Sequence, residues 1–365
     1  MAFVVGTRPD AIKTAPAVLA FRQHADLVET RLISTGQHRE MLAQALAAFG
    51  LAPDDDLAIM TQGQTLAQVT SRSLEGLDAL LEKHRPAMVF GQGDTTTTFA
   101  AGLSAFYRQI PFGHIEAGLR TPTVFNPFPE EFNRRAVALF AAQHYAPTEW
   151  AAQNLRQEGI DDSSIFVTGN TGIDAVMTIA AQAGPAWYSD WPGRVVLLTT
   201  HRRENWGAPQ RAIAQAARRL VEKFEDVRLV VAMHRNPVVR ETLVSELGDA
   251  PRTDLIEPPD YAPFVHLMKR AALILTDSGG VQEEAPSFGV PVLVLRTTTE
   301  RPEGVEAGTA RLVGTDEEAI YAAAEGLLAD PAAHAAMSRA VSPYGDGQAG
   351  GRIAEAALRY LGLRP

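Results

Sequence analysis

Three carboxylates stand where an apolar run gives way to polar residues: Asp94 in GQGDTTTT, Glu116 in HIEAGLR and Glu130 in NPFPEEFNRR. Taken singly, each reads as a helix-start acid, because Asp is a common N-cap and acidic groups favour the first helical turn. Three from different segments exceed what capping requires, and carboxylates gathered in one place separate their proton affinities in the way proton transfer demands. Cations occupy the same kind of position. Arg8 and Lys13 follow AFVV within GTRPDAIK, His201, Arg202 and Arg203 follow an apolar run in LLTTHRREN, and His234 with Arg235 follow another in MHRNP. Arg8 and Lys13 at the start of a helix suit a diphosphate, with solvated cations as the plainer alternative. A histidine ahead of two arginines points to an anion.

The stretch LTDSGGVQEEAPSFGVPVLVLR adds a different chemistry. Ser278, Gly279 and Gly280 put bare backbone N–H groups at a helix start, where phosphate oxygens are bound with help from the helix dipole. Glu284 lies four residues after Gly280, on the same helical face, where a carboxylate could accept both hydroxyls of a ribose. Glu283 reads only as a helix-start acid. Arg301 follows the next apolar run, in TTTERPEG. No HExxH or similar ligand spacing occurs, so no protein-held metal is expected.

Elements must exist to place these groups. Short apolar runs alternate with amphipathic stretches: AFVV before 11–24, LVETRLIS before 38–48, PAMVF before 95–108, and PFGHI before a helix near 129–140. This is the rhythm of a parallel sheet covered on both faces. It pauses at GPAWYSDWPG (184–193), read as a linker, and restarts with RVVLLTT, VRLVVAM, TDLIEP, ALILTDS and VPVLVLR, with helices over 208–223 and 237–247 and through the Ala-rich 320–340. The expected fold is α/β, with two doubly wound Rossmann-like domains facing a cleft and ligands at the carboxyl ends of the strands. Residues 1–183 form the first domain with the acids, 184–349 the second with the nucleotide site, and 350–365 a last helix returning to the first domain.

Composition narrows the function. The 365 residues are 46% hydrophobic, enough for two cores, and the formal net charge of −10 argues against a general nucleic-acid binder, so local cations must hold any anionic ligand. The absence of cysteine excludes disulfides and thiolate metal sites. With no long uncharged apolar stretch, the expectation is a cytoplasmic protein with no membrane partner.

In order along the chain, GTRPDAIK, TGQHREML, GDTTTT, HIEAGLRT, NPFPEEFNRR, TGNTGID, TTHRREN, DYAPFVHLM, TDSGGVQEEAPSFGVPVLVLR and TTERPEG resemble the motif set of the non-hydrolysing UDP-N-acetylglucosamine 2-epimerases. The resemblance runs from residue 6 to about residue 316. It implies the two-domain GT-B fold, a homodimer, and interconversion of UDP-GlcNAc and UDP-ManNAc with no added cofactor, by anti elimination of UDP to 2-acetamidoglucal and re-addition. Carried over residue by residue, it places Arg8, Lys13, His201, Ser278, Gly279, Gly280 and Arg301 around the UDP phosphates, Glu284 on ribose and Phe264 beside uracil. Asp94, Glu116 and Glu130 match the proposed acid/base groups, supported by His201. Gln37, His38, Arg72, Arg203 and His234 match an activating second UDP-GlcNAc site. Two departures stand out: Gln92-Gly93-Asp94 where many members read HGD, and His234-Arg235-Asn236-Pro237 where they read HPNP. The competing readings are a GT-B glycosyltransferase, which would need an acceptor, a hydrolysing epimerase, which would release free ManNAc, and a UDP-sugar sensor, which would need none of the three acids.

Overall fold

Strands of two to six residues, the central ones buried on both faces, assemble into two parallel sheets in the computed structural model, which describes residues 1–36, 39–61, 63–299 and 301–364. The first sheet contains β1 (Ala2–Val5), β2 (Arg31–Ser34), β3 (Asp55–Asp56), β4 (Val89–Gln92), β5 (Phe112–Ile115), β6 (Gln143–Ala146) and β7 (Ile165–Val167), in the order β3-β2-β1-β4-β5-β6-β7. The second contains β8 (Arg194–Thr199), β9 (Val227–Ala232), β10 (Thr253–Ile256), β11 (Leu273–Thr276), β12 (Val292–Val294) and β13 (Ala310–Leu312), in the order β10-β9-β8-β11-β12-β13. Each sheet grows outward from its first strand and then crosses back to the other side. The resulting switch points, β1 beside β4 and β8 beside β11, are where doubly wound sheets bind ligands.

The chain divides into two compact units, one of Met1–Thr178 with the stretch from Tyr344 onward, the other of Ile179–Pro343. In the first, Phe3 stacks on Phe90 at 4.6 Å between centroids and meets Phe21 edge-on at 5.4 Å. Each such ring, fully buried, contributes on the order of 1.5–3 kcal/mol. The final helix, Ala349–Tyr360, belongs to this unit: the Asp174 carboxylate accepts the Gly350 N–H at 2.8 Å, and a Cβ at Gly350 would lie 2.7 Å from the Pro16 carbonyl oxygen, so only glycine permits the approach. The second core packs the helices Ala208–Lys223, Pro237–Leu247 and Glu317–Ala329 on β8, β9 and β11 through Leu198, Ile213, Leu220, Leu243 and Leu275.

Three local expectations are revised. The strand read from LVETRLIS starts only at Arg31, because the ladder to β1 opens with Arg31 opposite Ala2. The Ala-rich 320–340 is two helices, Glu317–Ala329 and Pro331–Ser338, since Pro331 cannot continue the first and Asp330 caps the second through the Ala332 N–H at 2.8 Å. Residues 184–193 are docked rather than free: Trp187 Nε1 donates to the Pro263 carbonyl at 2.8 Å, and the Arg228 guanidinium lies 5.3 Å from the Tyr188 and Trp191 ring centres. Among the described residues no helix is long and apolar enough to cross a membrane.

Candidate active site

At the end of β1, Thr7 caps the helix Arg8–Arg22 in a reciprocal box with Asp10, and Gly6 is required because a Cβ would overlap the Thr97 side chain. Asp10 is buried and accepts from the Thr7 hydroxyl (2.7 Å), the Thr7 N–H (3.2 Å) and the Thr95 hydroxyl (3.2 Å). Burial pushes its carboxyl up to about 6, against those hydrogen bonds and with help from the charge of Asp94. Arg8 is the first residue of this helix, and among the described residues it forms no ion pair. Lys13, one turn further on, forms an ion pair with Glu116 Oε1, so this expected phosphate ligand touches one of the expected acids.

Glu116 follows β5 in the left-handed region at φ 64°, and its Oε2 accepts from Gln92 Nε2 at 2.5 Å. Gly93, itself at φ 71°, leaves room for that carboxylate. Behind it, the fully buried His114 donates from Nε2 to the Gly93 carbonyl at 2.7 Å, while Nδ1 has no partner; burial pushes this imidazole down to about 3. Asp94 pairs with Arg134 at 2.5 Å, and its carbonyl accepts from Asn133 Nδ2 at 2.8 Å. Arg134 is also braced by the buried Glu131 at 3.0 Å and feels the charge of Glu116. Glu130 opens the same helix, Glu130–Ala138, four residues before Arg134 and hence on the same face. The first unit thus holds two sets of contacts near the carboxyl ends of β1, β4 and β5, Lys13 and Gln92 on Glu116, and Arg134 on Asp94, with Arg134 feeling the charge of Glu116.

In the second unit one carboxylate organises the site. Asp277, buried at the end of β11, accepts from His201 Nδ1 (2.9 Å), the Thr200 hydroxyl (2.9 Å), the His201 and Arg202 N–H groups (3.0 Å each) and Asn205 Nδ2 (2.9 Å). Burial alone would raise its proton affinity, but the His201 imidazole and these donors hold it down at about 2. His201 is thereby fixed through Nδ1, with Nε2 as its other ring nitrogen and the side chain 42% exposed. The helix Gly279–Glu284 begins after Ser278. A Cβ at Gly279 would lie 2.6 Å from Arg301 Nη1 and 2.7 Å from Cζ, so this glycine makes room for a guanidinium. At Gly280, among the described residues, only Glu284 Oε1 lies within reach of a Cβ, at 3.9 Å. Glu283 is buried and holds Arg301 Nε at 2.5 Å, while Thr299 accepts the Arg301 N–H at 3.1 Å and donates to Gln282 Oε1 at 2.9 Å. Phe264 is half-buried on the helix Tyr261–Arg270.

The residues matched to a second site come from both units. Arg72, in the first unit, donates to Thr61 and Gln64; in the second, Arg203 faces Trp206 at 6.0 Å, and the His234 ring is 6.0 Å from that of His201. Gln37 and His38 lie outside the described residues. Partial burial and the neighbouring His201 push the His234 imidazole down. Inspection of single motifs does not reveal Asp10, Gln92, His114, Arg134 and Asp277 as site-building residues. For Asp10, Gln92, His114 and Asp277 the one visible signal is a position at or near a strand end, and Arg134, inside the helix Glu130–Ala138, carries none.

Two separate doubly wound sheets with reactive side chains at their carboxyl ends define an α/β protein of the GT-B class. The sequence profile described as UDP-N-acetylglucosamine 2-epimerase matches residues 20–358, and the chain belongs to that family. It is 52% identical to the UDP-N-acetylglucosamine 2-epimerase of Bacillus subtilis, covering 99% of this chain and 95% of that one. The corresponding Escherichia coli K12 protein is 48% identical, with 97% and 96% covered. The crystal structure of UDP-GlcNAc 2-epimerase from Neisseria meningitidis bound to UDP-GlcNAc superposes with a TM-score of 0.87 at 43% identity, covering 98% of this chain and 99% of that one.

Proposed function

We propose that this protein interconverts UDP-GlcNAc and UDP-ManNAc by inverting C2. The C2 hydrogen is not adjacent to a carbonyl, so it becomes acidic only as the C1–O bond to UDP breaks and positive charge grows in the ring. In the forward step that bond's electron pair leaves with UDP, the C2 proton passes to a carboxylate, and a C1–C2 double bond forms, giving 2-acetamidoglucal. Reprotonation at the other face of C2 and return of UDP to C1 complete the inversion. Asp94, Glu116 and Glu130 supply the acid and base, each contributing on the order of 10²–10⁴-fold. Arg8, His201 and Arg301, with the backbone at Ser278, Gly279 and Gly280, stabilise the charge developing on the diphosphate, while Glu284 holds ribose and Phe264 packs beside uracil.

The observation that supports this reading is the pairing of Asp94 with Arg134, a guanidinium that also feels the charge of Glu116 and shares a helical face with Glu130. A UDP-sugar binder needs no such set of acids. Incubation with UDP-GlcNAc in D₂O, followed by NMR, tests the proposal: UDP-ManNAc should appear with deuterium at C2. Free ManNAc, or no deuterium uptake by folded protein that binds UDP, would sink it.

A further inference from the structure

Gln92 ends β4, is 3% exposed, and sits opposite Ile115 in the β4–β5 register, so Glu116 is the next residue along the neighbouring strand. Its amide meets Glu116 Oε2 at 2.5 Å, while the Lys13 ammonium takes Oε1. An ionised carboxylate only accepts, so the amide must present its NH₂ group. Glu116 holds a left-handed φ of 64°, a costly conformation for a residue with a side chain, which persists only where its surroundings over-determine it. Those surroundings are all in place. Gly93 leaves space below the carboxylate, His114 ties down the Gly93 carbonyl, and the Gln92 carbonyl accepts from the Thr98 hydroxyl at 2.6 Å.

We propose that Gln92 is a positioning residue for Glu116: its amide and the Lys13 ammonium each hold one oxygen of that carboxylate, fixing its direction. The inference rests on the acid/base role given to Glu116 above. The charged and titratable groups around Glu116 are Lys13 from the helix Arg8–Arg22, Arg134 from the helix Glu130–Ala138 with its partner Asp94, and the buried neutral His114 on its own strand. Of the two side chains that hold Glu116, Gln92 adds a donor without adding a charge.

The test uses protein labelled with ¹³C at the glutamate carboxyls, the Glu116 resonance being assigned by its loss in Glu116→Gln. Gln92→Glu places a like charge beside Glu116 and should raise its titration midpoint by about 1 unit or more relative to the unmodified protein. Gln92→Leu removes one donor and should raise the midpoint by less. With saturating UDP-GlcNAc, turnover in both variants should fall roughly 10- to 100-fold, as expected for a lost hydrogen bond to a charged group, while UDP affinity stays within about twofold. A packing role alone would lower thermal stability without moving the Glu116 titration. An unchanged midpoint, or unmodified turnover, in folded Gln92→Glu protein overturns the proposal. Absence of epimerisation by the unmodified protein would instead overturn the function proposed above, and the two failures are distinct because the titration is read without turnover.

Discussion

Asp10 in the first unit and Asp277 in the second are both buried carboxylates at a sheet's switch point, and both accept from threonine hydroxyls and backbone N–H groups. Their proton affinities nonetheless move in opposite directions, up to about 6 for Asp10 and down to about 2 for Asp277. The difference lies in what surrounds them. Asp10 has hydrogen bonds up to 3.4 Å long and the like charge of Asp94 nearby, whereas Asp277 has contacts of 2.9–3.1 Å that include an imidazole. One fold, used twice, therefore builds two electrostatic environments. The first gathers carboxylates and offsets them with Lys13 and Arg134; the second neutralises its buried acids internally and presents His201 and Arg301. Proton transfer suits the first, anion binding the second.

The largest expected effect tests that division of labour. Glu116→Gln and Asp94→Asn, measured by NMR turnover and by UDP calorimetry, should each lower turnover on the order of 10²–10⁴-fold. UDP affinity should stay within about threefold, because neither side chain is assigned to the nucleotide. If affinity fell in step with turnover, the first unit would be contributing to nucleotide binding and the contrast between the units would collapse.

Stability against pH separates Asp10 from Asp277 directly. With a folded value raised to about 6, Asp10 binds its proton more tightly folded than unfolded, so its contribution is fully present below about pH 4 and declines as pH rises through about 6. The loss is on the order of 3 kcal/mol. Asp277 behaves in the opposite sense: its contribution is present above about pH 4 and is lost as pH falls toward about 2, by on the order of 2 kcal/mol. Urea unfolding of the unmodified protein, Asp10→Asn and Asp277→Asn from pH 3 to 7 should show Asp10→Asn removing the decline between about pH 4 and 6. Parallel curves for all three proteins would mean that neither carboxylate has the environment described.

Alternation of apolar runs was sufficient to predict two parallel sheets, because a strand buried on both faces leaves a nearly continuous apolar signature. Such a signature does not report where a ladder begins, which is why β2 starts later than its apolar run. The helix Leu66–His84 is marked instead by the Thr65–Gln68 capping box, a signal of a different kind. Site residues followed the same pattern. Asp94, Glu116 and Glu284 stand out because their types announce chemistry, while Gln92 does not, since a neutral amide becomes informative only when the neighbouring strand sets Glu116 beside it. Asp277 is silent in its own motif, because its donors arrive from residues 200–205, more than seventy positions away. Glu283 and Arg301 are eighteen residues apart, and nothing in either motif states that one braces the other.

That last pair supplies the smallest effect and the sharpest view of the second unit. Gly279 gives the Arg301 guanidinium its space, and Glu283 gives it a direction. Gly279→Ala would push the guanidinium from above, and Glu283→Gln would weaken its hold from the side. Each should weaken UDP binding by roughly 5- to 10-fold, the scale of one misdirected charge-assisted hydrogen bond. Saturated turnover should fall as well, by about the same factor, because Arg301 is assigned to the charge that develops on the diphosphate as the C1–O bond breaks. Because both act through one side chain, the double variant should bind UDP about as well as the weaker single variant, with the two losses failing to multiply. Calorimetry on the four proteins decides the matter. Losses that multiply would show that Gly279 and Glu283 act independently, the glycine then serving as a direct surface for the phosphates rather than as clearance for Arg301.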